Sequence, residues 1–131
     1  MRILVADDNE DARQMVLQCF ANAPDRQWVV VNNGADAWWH LSSPDERFDL
    51  AILDLSMPVV DGLQLLARIR ADARLSDLKV IFTTAANDRP TLVKAAGLRV
   101  TGYLAKPYSR VALQQKVHEI EGRLAGRGAR S

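Results

Sequence analysis

Five short apolar runs rich in β-branched residues recur along the chain, and a longer stretch with helical periodicity follows each one. The runs are residues 2–6 (RILVA), 27–31 (QWVVV), 49–53 (DLAIL), 79–83 (KVIFT) and 100–105 (VTGYLA). A helix is predicted over 10–22, with Ala12, Met15, Val16, Cys19 and Phe20 as its stripe. A second follows Asn33-Gly34 and reaches about Leu41, and a third, capped by Asp61, runs through residue 71 with Leu65, Leu66 and Ile69 inward. A short fourth helix opens near Pro90, and the last spans about 109–124, with Leu113, Val117, Ile120 and Leu124 in its stripe. Strands that are apolar on both faces belong to a parallel sheet covered by helices on each side. Right-handed crossovers then make a doubly wound α/β sheet the expected fold.

With 131 residues the chain suits one domain, and 48% apolar with 25% charged residues is an ordinary globular balance. Cys19 is the only cysteine, so no intrachain disulfide exists and a reducing cytoplasm is the expected compartment. Its simplest role is that of a small buried hydrophobe. The net charge of +1 is spread out, apart from Arg123, Arg127 and Arg130 in the tail. No basic stripe is present, so a direct nucleic-acid partner is not expected. The apolar run at the N-terminus is broken by Asp7, too early for a signal peptide or a membrane span. Trp38 falls on the second helix's inner stripe, whereas Trp39 lies off it and is a candidate partner anchor; His40 and His118 are expected to face solvent.

In an open sheet of this kind, ligands bind beyond the carboxyl ends of the strands, where the winding reverses. The first strand ends in Asp7-Asp8, the third in Asp54, the fourth in Thr83-Thr84 and the fifth in Lys106-Pro107. Taken alone, each has an ordinary explanation: a turn and cap, a hydroxyl at a helix start, a solvated lysine. Together they bring three carboxylates, a hydroxyl and an ammonium to one edge. Two carboxylates about 4 Å apart repel by roughly 4 kcal/mol at an effective dielectric near 20, so the group calls for a cation. Oxygen ligands suit a hard ion, with Mg²⁺ (or Mn²⁺) the expected metal. A carboxylate beside such an ion and a lysine is placed to attack phosphorus.

The segments ILVADDN, AILDLSMPVVDG, VIFTTA and GYLAKP, in this order, resemble the receiver domains of bacterial two-component response regulators. Thr84 lies 30 residues after Asp54 and Lys106 a further 22 after Thr84, as in chemotaxis-type members of that family. The resemblance covers residues 2 to about 121. It implies a flavodoxin-like sheet of strand order 2-1-3-4-5 and a receiver domain over 1–122, leaving 123–131 as a flexible tail or linker stump. It also implies roles. Asp54 is the phosphoacceptor, and Asp7, Asp8, Asp54 and the backbone carbonyl of Ser56 hold the metal. Lys106 contacts the phosphoryl group through a loop with a cis bond to Pro107, and Thr84 and Tyr103 form the switch. The phosphoryl donor is then a histidine kinase or histidine phosphotransfer protein, and the output is a downstream protein target or output domain.

Two features depart from the family pattern. The stretch from Gly97 to Tyr103 is about two residues longer than usual, so the fourth helix is expected to be short and the usual partner surface altered. Ser56 and Ala86, two residues beyond Asp54 and Thr84, are both small, which implies little shielding of an acyl phosphate from water. A DNA-binding or catalytic module would need about 60 more residues. The chain is thus expected either to stand alone, acting through protein contacts, or to be the N-terminal part of a longer regulator; dimerisation on activation is compatible with both. Two other readings stay open. A metal-dependent phosphohydrolase with an aspartyl-phosphate intermediate usually has an acid where Ser56 stands. A pseudo-receiver that binds its partner without phosphorylation would be expected to have lost an acid or the lysine.

Overall fold

The computed structural model describes residues 1–20, 26–57, 59–84 and 89–129, with side chains as far as Leu124. Strands and helices alternate throughout: β1 (Arg2–Ala6), α1 (Glu10–Cys19), β2 (Gln27–Val31), α2 (Gly34–Ser42), β3 (Leu50–Asp54), α3 (Gly62–Ala71), β4 (Lys79–Thr84), α4 (Arg89–Gly97), β5 (Gly102–Ala105) and α5 (Arg110–Ala129). All five strands pair in parallel, in the order β2-β1-β3-β4-β5. This is the expected flavodoxin-like, doubly wound sheet. β3 lies at its centre and every one of its residues is buried.

Alternation along the strands divides the core between two faces. Ile3, Val5, Leu50, Ile52 and Ile81 pack against Val16 of α1, the C-cap Phe20 that follows it, and Leu113, Val117 and Ile120 of α5. Leu4, Ala51, Leu53, Val80 and Phe82 pack against Ala37 and Leu41 of α2, Leu65, Leu66 and Ile69 of α3, and Ala95 of α4. Side-chain caps fix where three helices begin. Asn9 accepts from the Ala12 N–H, Asn33 from Asp36 and Asp61 from Gln64, the last completed by Gln64 bonding back to the Asp61 N–H. Among the described residues no helix is long and apolar enough to cross a membrane.

Some expected boundaries move. β5 begins at Gly102 rather than at residue 100, because Arg99 turns the chain at φ 59° and Thr101 meets β4 through its side chain. The Thr101 hydroxyl accepts from the Val80 N–H at 2.9 Å while the Thr101 N–H donates to the Val80 carbonyl at 2.8 Å. α1 ends at Cys19, and the last expected residues of that helix, 21–22, lie outside the described residues. α5 continues to Ala129 instead of stopping near residue 124, because its glycines weaken a helix without removing a backbone donor as proline would. His40 is half-buried, its Nδ1 2.8 Å from Glu46 Oε2, so it is not the solvent-facing side chain expected; His118 is exposed. Trp38 packs on the core, Trp39 is 68% exposed, and Cys19 is half-buried against the α1–α5 face.

α4 spans nine residues, as many as α2, and one side chain holds the turn that follows it. Arg70 of α3 donates to the carbonyls of Leu98 (2.9 Å), Arg99 (2.8 Å), Ser76 (3.1 Å) and Leu78 (2.7 Å). It thereby ties the end of α4 to the α3–β4 connection. Replacing Arg70 with Met keeps the apolar stem but strands these acceptors. Urea denaturation of Arg70→Met is expected to show a loss of about 2–3 kcal/mol. A loss below about 0.5 kcal/mol, typical of a surface change, would mean that the guanidinium bonds contribute nothing net.

Candidate functional site

The winding reverses between β1 and β3, which lie side by side, so their carboxyl ends open onto one crevice. Asp7 and Asp8 follow β1, and Asp54 is the last residue of β3. One carboxylate oxygen from each of the three lies within 4.8 Å of the others. Asp7 and Asp54 are only 3% and 5% exposed, while Asp8 faces solvent. Lys106 arrives from beyond β5, its Nζ 2.9 Å from Asp7 Oδ2 and 3.0 Å from Asp54 Oδ2. The Lys106–Pro107 peptide bond is cis.

Burial disfavours the charged form of Asp54, and the negative Asp7 adds to this. The Ser56 N–H, at 3.0 Å from Asp54 Oδ1, and Lys106 work against both effects, yet the pKa of Asp54 stays above the ordinary carboxylate value. Lys106 is also desolvated, but its bonds to Asp7 and Asp54 prevail and raise its pKa, so it holds its proton. One ammonium therefore serves two buried acids, with a third acid at the rim. This is an oxygen-rich, electron-rich pocket with a deficit of positive charge. It fits a hard divalent cation.

Several supporting contacts were not foreseen from the sequence. Arg13, on α1, donates to the Asp7 backbone carbonyl at 2.8 Å, and the Asn9 N–H donates to Asp7 Oδ1 at 2.9 Å. Together they hold the β1 tip in place. A basic residue facing the sheet from the first turns of α1 was the available signal. Thr83 pairs in register with Asp54 and is buried, with no hydrogen-bond partner for its hydroxyl among the described residues. The loop after Asp54 carries exposed Ser56 and buried Met57 and Val60, and it bends at Val59, which sits at φ 69° and is 87% exposed. A β-branched residue at positive φ costs about 1–3 kcal/mol and persists only where its surroundings impose it.

The two switch candidates approach from the sheet's other face. Thr84 is buried at the end of β4, and Tyr103 pairs in register with Phe82, two residues before Thr84. The Tyr103 side chain packs on the α2–α3–α4 core and its hydroxyl donates to the Leu92 carbonyl of α4 at 3.1 Å. Thus Asp7, Asp8, Asp54 and Lys106 cluster, Ser56 adjoins them, Thr84 sits at the same sheet edge, and Tyr103 stands further back against α4. Ala86 lies outside the described residues.

The family model for the response regulator receiver domain matches residues 3–118. The chain belongs to this family. Among curated relatives, the chemotaxis protein CheY of Pseudomonas aeruginosa is 32% identical over 126 residues, covering 96% of this chain and all of that one. Among solved structures, the Mn²⁺-bound form of response regulator Rcp1 superposes with a TM-score of 0.79 at 25% identity, covering 92% of this chain and 91% of that one. The phosphorylated cyanobacterial phytochrome response regulator RcpA gives 0.79 at 27% identity, covering 92% and 90%. The receiver domain described here is therefore a CheY-like signalling module rather than an enzyme of the usual kind.

Because its pKa is raised in the folded chain, ionisation of Asp54 opposes folding. Stability from this group is present below the ordinary carboxylate pKa and falls as pH rises through the raised value. In chelator at neutral pH, Asp54→Asn is expected to have a higher denaturation midpoint than the wild type, with the gap closing toward acid. A less stable Asp54→Asn at neutral pH would show that the Lys106–Asp54 bond outweighs desolvation and the Asp7 charge.

Proposed function

We propose that this receiver domain takes a phosphoryl group on Asp54 from a phosphohistidine of a partner histidine kinase or histidine phosphotransfer protein, and that this switches a protein-interaction surface. The observation that carries the reading is the meeting of three carboxylates with one lysine at the edge where the sheet's winding reverses. Asp7, Asp8, Asp54 and the Ser56 carbonyl would hold Mg²⁺ or Mn²⁺, in keeping with the Mn²⁺-bound state of Rcp1. When bound, the ion supplies charge that screens the carboxylates and the incoming phosphoryl oxygens.

The residues then divide the work. A carboxylate oxygen of Asp54 forms a bond to phosphorus as the phosphorus–nitrogen bond to the donor imidazole breaks, and the electron pair stays on that nitrogen. The product is an acyl phosphate, in keeping with the phosphorylated state of RcpA. Lys106, kept protonated, stabilises charge on the equatorial oxygens. The Thr84 hydroxyl donates to a phosphoryl oxygen, and Tyr103 changes rotamer, giving up its bond to Leu92. The phosphate, with a charge of roughly −2, stabilises that arrangement. The domain's own chemistry is self-phosphotransfer and autodephosphorylation, and small Ser56 leaves water a path to the acyl phosphate. Residues 1–122 form the switching unit, with 123–131 as tail or linker stump; the setting is cytoplasmic, and the output is a target protein, an appended domain or a second copy.

A small-molecule phosphodonor with Mg²⁺, followed by intact mass, is expected to add one labile phosphoryl to the wild type and none to Asp54→Asn or to chelated protein. Lys106→Ala should slow the reaction about 100-fold. Absence of a labile adduct on the wild type would favour a pseudo-receiver, and steady turnover of phosphomonoesters would favour a phosphohydrolase.

A further inference from the structure

We infer that Gly34, the first residue of α2 and no part of the acidic cluster, is a positioning residue for the cation site. Resting on the function proposed above, this assigns to Gly34 the task of setting the path of the loop that presents Ser56. A Cβ built at Gly34 would fall 2.0 Å from the Val60 carbonyl oxygen, 2.9 Å from its carbonyl carbon and 2.9 Å from its Cβ. Atoms of real proteins do not approach so closely, and the oxygen is backbone, so no rotamer relieves the clash. Either α2 or the loop must give way.

The helix is the firmer of the two. Asn33 caps it, its Oδ1 accepting from the Asp36 N–H at 2.7 Å, and Ala37 and Leu41 anchor it in the core with no exposed surface. The loop has a second abutment on its far side. A Cβ at Gly62 would lie 2.7 Å from the Asp54 carbonyl oxygen and 2.9 Å from the Leu55 Cα, and the Gly62 N–H donates to the Leu55 carbonyl at 3.1 Å. The loop is therefore wedged at its two ends, Val60 against the start of α2 and Leu55 against the start of α3. Buried Met57 and Val60 pin the wedge from beneath, and Val59 takes its left-handed bend within it. A push on Val60 is passed through Gly62, which abuts Leu55, to the neighbouring Ser56, whose N–H holds Asp54 and whose carbonyl is the proposed ligand.

The test compares Mg²⁺ binding, by calorimetry on chelator-stripped protein, with stability in urea. Gly34→Ala is expected to weaken Mg²⁺ binding by about tenfold, as changes behind a metal's direct ligands do. Leu41→Ala, a cavity variant of the same helix that leaves the wedge alone, should lower stability yet bind Mg²⁺ within about twofold of the wild type. Val59→Gly frees the backbone at the bend and should restore part of the affinity lost in Gly34→Ala. If Gly34→Ala does not fold alone, the Gly34→Ala, Val59→Gly pair is compared with Val59→Gly, and the pair should bind more weakly. Unchanged Mg²⁺ affinity in folded Gly34→Ala, or in the pair, overturns the inference while leaving the cation site intact. A wild type that binds no Mg²⁺ overturns the site itself, and this inference with it.

Discussion

One ammonium group between two buried carboxylates is the constraint around which the rest of this receiver domain is arranged. Lys106 bridges Asp7 and Asp54 across the sheet from the far edge strand, at 2.9 Å and 3.0 Å. Bringing like charges together at low exposure is unfavourable, and a single lysine answers only part of it. The fold holds these groups together through a parallel sheet covered on both faces, whose central strand is buried at every residue. Stability generated in the apolar core is thereby spent on keeping a polar edge in a state it would not adopt alone.

Side-chain alternation gives that edge a second property. Asp54 pairs in register with Thr83, whereas Thr84 and Tyr103 share the parity of Phe82, on the opposite face. The acids and Lys106 stand toward α1 and α5, and the two switch candidates toward α2, α3 and α4. The proposed chemistry at Asp54 and the proposed response at α4 are thus separated by the thickness of one sheet. Thr83 and Thr84, adjacent on β4, belong one to each side.

Much of the fold was legible because its signals are local and repeated. Continuous apolar runs such as LAIL mark buried parallel strands, and Asn33 and Asp61 mark helix starts by their capping chemistry. The acidic cluster was legible for another reason: in a parallel sheet the ends of strands share an edge, so Asp7, Asp8, Asp54 and Lys106 had to meet. What escaped depends on approach distances that no pattern encodes. The Arg70 clasp joins residues 28 positions apart through backbone carbonyls, which every residue possesses. The start of β5 shifted because the Thr101 hydroxyl replaces a backbone partner, and His40 turned inward because Glu46 lay within reach. Gly34 reads in sequence as turn punctuation, although its missing side chain makes room for a neighbouring carbonyl.

The Arg70 clasp also limits how α4 can move. The guanidinium grips Leu98 and Arg99 just past the helix's last residue, while the Tyr103 hydroxyl bonds nearer its first turn, at Leu92. A rearrangement that releases the tyrosine but keeps the arginine bonds has its fulcrum at the C-terminal end. The helix then swings as a lever, with least travel beside β5 and most at Arg89, the end nearer in sequence to Thr84.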